Sequence, residues 1–163
     1  MAAVEPEPHP SVAAALDRAG QRYTRSRVAL VEVLAAAARP LTIAEVLEAG
    51  TGLPQSSVYR NLSVLEQAGA VRRVMGVDEF ARYELAEDLT EHHHHLVCLS
   101  CGTVADFTVS AGLERAMAGA VAEVLEGTGF TAESHRLDLL GECRVCAAPR
   151  SRESAQRAKT SAR

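Results

Sequence analysis

A chain of 163 residues, 47% of them hydrophobic, is long enough for one ordinary domain or two small ones, and it contains no run of the ~20 apolar residues that a membrane span needs. Its opening stretch, "MAAVEPEPHP", is acidic and proline-rich, not a basic segment ahead of an apolar one, so no export signal is expected and the expected address is cytoplasmic. The formal net charge of −4 disfavours a nucleic-acid partner only when read globally: residues 11–83 carry nine Lys/Arg against seven Asp/Glu, whereas residues 84–148 carry three against eleven.

Four segments follow. Residues 1–10 and the basic tail 149–163 are short of apolar side chains that could repay the entropy of ordering, and both are expected to be disordered. In the first domain, 11–83, "TRSRVALVEVLAAAA" sets Val28, Leu30, Val31, Val33 and Leu34 mostly on one helical face, and Pro40 ends that helix. "LTIAEVLEAG" opens with Thr42 three residues before Glu45, a capping box, and closes at Gly50. A third helix begins near Pro54 and stops at Gly69, with Val58, Leu62 and Leu65 in one stripe and Ser56, Tyr59, Arg60 and Ser63 off it. "AVRRVMGVDEFARYEL" then reads as two strands around a turn at Gly76 to Glu79. Three helices and a hairpin in this order are the pattern of a winged helix-turn-helix, whose last helix enters the major groove of double-stranded DNA. Arg there suits bidentate contact with guanine. The alternative is that Tyr59 and Arg60 are ordinary surface residues.

In the second domain, 84–148, Cys98 and Cys101 are spaced C-x-x-C, and Cys143 and Cys146 repeat the spacing. Between the pairs, "SAGLERAMAGAVAEVLEGTG" reads as a helix and "RLDLLGEC" as a returning strand, so four thiolates can converge on a closed zinc site with Zn–S near ~2.3 Å. Two redox disulfides or unbound thiols are the alternatives. In an extended "HHHHLVCL", His93 and His95 point one way and His92 and His94 the other, so four neighbours serve two sites. Two imidazoles rarely suffice for a divalent ion, and Glu84, Asp106, Glu114 and His135 are the candidates to join them. An exposed polar strand end is the bland alternative. An expression tag conflicts with the internal position of the run beside Leu96, Val97 and Leu99.

"RYTRSRVAL", "SSVYRNLSVLEQAGAV", "EHHHHLVCLSCG" and "ESHRLDLLGECRVC", in that order, make the stretch from about Leu16 to Cys146 resemble the ferric uptake regulator family of bacterial metal-dependent transcriptional repressors. The resemblance implies an α+β homodimer, with N-terminal winged-helix domains and a small C-terminal α/β dimerisation domain, that binds palindromic, A/T-rich operators when loaded with metal. On that resemblance Tyr59 and Arg60 match the major-groove readers, with Ser56 and Ser57 beside them, and Arg22 matches a basic minor-groove contact. Cys98, Cys101, Cys143 and Cys146 match the structural zinc site. Glu84, His93, His95 and Asp106 match the regulatory site at the hinge, and His92, His94, Glu114 and His135 match a second metal site, His94 standing where some relatives have Asp.

One departure concerns the regulatory site. Relatives commonly supply a fifth ligand, often His, just before the second short helix, but "ARPLTIAE" offers none, which leaves four protein ligands or one borrowed from elsewhere, such as His9. Two His and two carboxylates suit Fe(II), the favoured regulatory metal, or Mn(II), and the Irving–Williams order lets Zn(II) bind as well. Zinc-uptake, manganese-responsive and peroxide-sensing regulators of the same family are the alternatives. No H-E-x-x-H or similar spacing supports a zinc hydrolase, so no enzyme activity is expected, nor a membrane partner or a small organic substrate.

Overall fold

The computed structural model describes residues 8–37, 39–132 and 135–148. The tail at 149–163 and most of the segment at 1–10, both expected to be disordered, lie outside the described residues. Where the latter is described, the expectation is corrected: His9 and Pro10 belong to a helix, α1 (His9–Arg18). Pro10 suits the first turn because its missing N–H would have no intrahelical acceptor there, and Val12, Ala15 and Leu16 put one apolar face inward.

Helix α2 (Arg25–Ala37) stops ahead of Pro40 and buries Leu30, Val31 and Leu34. Strand β1 (Leu41–Thr42), too short to show as a pattern, leads into α3 (Ile43–Glu48). The capping box forms as expected: Thr42 N–H donates to the Glu45 carboxylate at 2.7 Å, and Glu45 N–H donates to Thr42 Oγ1 at 3.3 Å. In α4 (Gln55–Gln67) the stripe Val58, Leu62 and Leu65 is fully inside, packed with Val12, Leu16, Leu30, Val31 and Val46 in one core. Each such side chain contributes about 1.5–3 kcal/mol by leaving water.

Strands β2 (Val71–Met75) and β3 (Ala81–Leu85) form the hairpin, and β1 joins it in the order β1-β3-β2. The pairing sets Arg72 opposite Glu84 and Met75 opposite Ala81. A short 3₁₀ turn, Glu87–Leu89, then leads to the second sheet.

There β4 (His94–Cys98) is central, antiparallel to β5 (Val104–Phe107) and parallel to β6 (Asp138–Gly141). Helix α5 (Ala111–Leu125) makes the crossover, started by Ser110, whose hydroxyl accepts from Leu113 N–H at 3.3 Å. None of the residues of α5 is buried, every residue of β6 is exposed, and Val124, Phe130, Leu140 and Val145 present their apolar surface to solvent. No helix among the described residues is long and apolar enough to cross a membrane.

Candidate metal centres and nucleic-acid interface

The two cysteine pairs meet at the end of the second sheet. Cys98 ends β4, Cys101 lies in the turn toward β5, and Cys143 and Cys146 follow β6, whose parallel pairing sets Gly141 opposite Cys98. All four are free thiols, with Cys101 Sγ 3.8 Å from Cys143 Sγ. That separation is about the edge of a tetrahedron with metal–sulfur bonds near ~2.3 Å, and far from the ~2.05 Å of a disulfide. Backbone N–H groups of Cys143 and Cys101 directed at the Cys98 sulfur bring its pKa down to about 6. Hydrogen bonds with the Cys143 and Cys101 sulfurs push Cys146 up to about 12. Four converging sulfurs with no disulfide between them suit a closed zinc site.

The histidines separate by face. His94 Nε2 lies 2.8 Å from Glu114 Oε1, while His92 Nε2 and His135 Nε2 are each 3.5 Å from Glu114 Oε2. Glu114 reaches this cluster from the first turn of α5. On the other face Glu84 Oε2 is 3.2 Å from His95 Nε2 and 3.5 Å from His93 Nε2. Asp106 Oδ1 lies 3.8 Å from His95 Nε2, because β4 and β5 set these residues opposite one another. In each cluster the four ligand atoms lie within 4.8 Å of one another.

Both clusters fit a divalent ion. Among the described residues, two buried side-chain polar atoms have no hydrogen-bond partner, Asp106 Oδ1 and His135 Nε2, and one falls in each cluster. Such atoms are costly unless something binds them. The outer ring nitrogens are also held: His93 Nδ1 lies 2.8 Å from the Glu91 carbonyl, and His95 Nδ1 lies 3.5 Å from Asp138 Oδ1. In the tautomer with its proton on the outer nitrogen each ring turns the Nε2 lone pair to an ion in the cluster, whereas in the ion-free site the same Nε2 atoms hydrogen-bond Glu84.

Electrostatics at the Glu84 cluster are set by burial and pairing. Burial opposes the charge of Glu84, but hydrogen bonds from His93, His95 and Arg72 outweigh it and bring its pKa down to about 2. Burial pushes Asp106 up from the usual carboxylate range. His93 is raised by its hydrogen bond to Glu84. A cavity of 290 Å³ opens onto Glu84, His93 and Asp106.

His9, suggested as a borrowed fifth ligand, is engaged elsewhere: its Nδ1 is 2.6 Å from the Tyr23 hydroxyl, and it is not part of the cluster. Arg72 is a further member of this site that no motif singles out. Its Nε donates to Glu84 Oε1, its Nη1 to Glu87 Oε2 at 3.2 Å, and its Nη2 lies 3.3 Å from His93 Nε2. Counting outward from the turn expected at Gly76 to Glu79 sets it opposite Tyr83; the hairpin loop is one residue longer, 76–80, and moves it opposite Glu84. Glu87, which also contacts His92 Nδ1, and Asp138 carry no comparable signal, because the first depends on a 3₁₀ turn and the second on a parallel pairing.

On α4, Ser56, Tyr59, Arg60 and Ser63 are exposed and Ser57 is half-buried. Arg22 is exposed ahead of α2, its carbonyl accepting from the Arg27 guanidinium, which also donates to Asn61 Oδ1 on α4 at 3.2 Å. Arg27 therefore fixes the backbone at Arg22 relative to α4. The exposed side chains of α4 offer hydroxyl, phenol and guanidinium donors to solvent.

Known proteins resemble this chain in sequence and in fold. Over 135 residues the chain is 31% identical to the peroxide operon regulator of Bacillus subtilis (strain 168), covering 80% of this chain and 88% of that protein. It is also 31% identical over 136 residues to the ferric uptake regulation protein of Legionella pneumophila, covering 80% and 95% respectively. The fold is similar to the crystal structure of the Vibrio cholerae ferric uptake regulator, with a TM-score of 0.62 and 29% identity over 80% of this chain and 98% of that one. An α+β chain with a winged helix-turn-helix before a smaller mixed-sheet domain matches this neighbour, and residues 18–140 match the family model itself. The chain belongs to the ferric uptake regulator family, whose members are metal-responsive transcriptional regulators and not enzymes.

Proposed function

We propose that this protein is a cytoplasmic DNA-binding repressor in which a divalent ion at Glu84, His93, His95 and Asp106 closes a homodimer onto palindromic, A/T-rich operators. The observation that carries this reading is the origin of the four ligands. Glu84 belongs to the hairpin that packs with α4, and the other three belong to the second sheet or the strand leading into it. An ion shared among them ties the unit bearing Tyr59 and Arg60 to the unit that would form the dimer.

The ion then acts by population shift. It favours the closed arrangement in which two α4 helices fall in major grooves ~34–36 Å apart or a multiple of that, for which a differential of a few kcal/mol suffices. The Vibrio cholerae ferric uptake regulator, whose structure reveals a rearrangement of its DNA-binding domains, supports movement of this kind. The uncovered apolar layer of α5 and β6 supports a second copy as its partner. The cysteines hold structural Zn(II), and the His92, His94, Glu114 and His135 cluster takes a second ion.

Two imidazoles and two carboxylates favour Fe(II) or Mn(II) in the regulatory site, and free metal concentration decides whether Zn(II) competes. The likeness to a peroxide operon regulator supports a second reading, in which peroxide oxidises His93 or His95 in the Fe(II) form. The deciding experiment is anaerobic titration of protein that retains its cysteine-bound zinc with Fe(II), Mn(II) and Zn(II), followed by operator binding at fixed salt. Switching by Fe(II) or Mn(II) at micromolar free ion upholds the proposal. Switching by Zn(II) alone, at far lower free ion, makes the protein a zinc-uptake regulator. Gain of one oxygen atom on His93 or His95 after peroxide treatment supports the oxidant sensor.

A further inference from the structure

We propose that Arg72 competes with the divalent ion for the Glu84 carboxylate, so that loading the site is an exchange of cations in which the guanidinium leaves Glu84 and stays on Glu87. This rests on the reading that Glu84, His93, His95 and Asp106 hold the regulatory ion.

The competition is built into the hairpin. Arg72 and Glu84 are directly paired across β2 and β3, so their side chains rise side by side from one face of the sheet. A guanidinium only donates hydrogen bonds. Its Nε takes Glu84 Oε1, and its Nη2 lies 3.3 Å from His93 Nε2, the atom through which an ion would be bound. Two of the four ligand residues are thus engaged by one fixed cation. Only 6% of the Glu84 side chain is exposed, and a carboxylate so deeply buried needs a positive partner. Arg72 is that partner until a divalent ion replaces it.

Glu87 makes the exchange inexpensive. From the 3₁₀ turn it accepts from Arg72 Nη1 at 3.2 Å, a different nitrogen from the one given to Glu84. Arg72 therefore keeps one carboxylate after giving up the other, and no buried charge is left unpaired. The affinity of the site is the ion's own binding free energy less the cost of breaking the Arg72 contacts to Glu84 and His93. Arg72 therefore raises the threshold for loading the site.

Zinc-retaining protein is titrated with Mn(II), free Mn(II) being read by electron paramagnetic resonance, and thermal unfolding is followed with and without the ion. Arg72→Gln is expected to bind the Glu84-dependent Mn(II) about tenfold more tightly, the worth of a charged hydrogen bond, and to melt lower than wild type when no Mn(II) is added. Arg72→Lys, which keeps the charge but not the fork, is expected to give a smaller gain of the same sign. Arg72→Gln combined with Glu84→Gln is expected to bind no better than Glu84→Gln alone. Unchanged or weaker binding by both Arg72 variants overturns the competition, as does a gain that survives in the Glu84→Gln background. If Glu84→Gln alone leaves Mn(II) binding at the wild-type level, the functional reading falls and this inference with it.

Discussion

Glu84 Oε2 stands 3.2 Å from His95 Nε2, although Glu84 closes the first sheet of the chain and His95 lies in the centre of the second. This pair, with Arg72 and Glu84 against His93, joins the hairpin to the second sheet at the candidate regulatory site. Glu84→Ala removes the only ligand contributed by the hairpin. The variant is expected to stay folded, lose roughly tenfold or more in Mn(II) affinity and lose metal-dependent operator binding. Calorimetry and a gel-shift titration measure the two effects.

The cysteine cluster is expected to behave oppositely. Cys98→Ser should lower the zinc content to none, reduce the melting temperature sharply and impair dimerisation, because metal binding in a closed thiolate site is folding free energy. Metal analysis together with sedimentation tests this. A fully stable but metal-blind Cys98→Ser protein would exchange the roles assigned to the two kinds of cluster.

Arg60 and Arg22 should separate in kind as well as amount. Arg60→Ala is expected to cost about 1–3 kcal/mol and to relax discrimination at one base position, as loss of a bidentate base contact does. Arg22→Ala should weaken binding to all sequences similarly and reduce the slope of log affinity against log salt by about 1. Binding to operator and scrambled duplexes across a salt series distinguishes them.

Asp78 and Arg82 predict a pH effect outside the two histidine clusters. Arg82 Nη1 and Nη2 donate to the two Asp78 oxygens at 2.6 and 2.8 Å, and this pairing holds the Asp78 carboxyl below its ordinary range. With the folded pKa depressed, the unfolded chain binds the proton first as pH falls. The stabilisation is complete above the unfolded pKa, near ~3.9, and is lost as pH drops through the folded value. Asp78→Asn should therefore melt below wild type at about pH 6, and the difference should shrink toward zero under more acid conditions. A constant difference would mean that packing against Gly102, not charge, is what Asp78 provides.

The sequence by itself determined the features that depend on neighbours along the chain. Thr42 and Glu45 sit one helical turn apart, so their capping box is readable from spacing, and the stripe Val58, Leu62 and Leu65 follows from 3.6 residues per turn. The alternation of an extended chain likewise separates His92 and His94 from His93 and His95, as the two clusters show. Tertiary structure decided what depends on pairing between distant segments. The helix at His9 hides in a proline-bearing terminus, and β1 is only two residues long, so neither has a period to detect. Asp138 reaches His95 only because β6 runs parallel to β4, and Arg72 reaches Glu84, Glu87 and His93 only because the hairpin register and the 3₁₀ turn bring them together. Local backbone geometry writes itself into short sequence intervals, whereas register and crossover are set by the packing of the whole chain, and the cation at the candidate regulatory site belongs to the second kind.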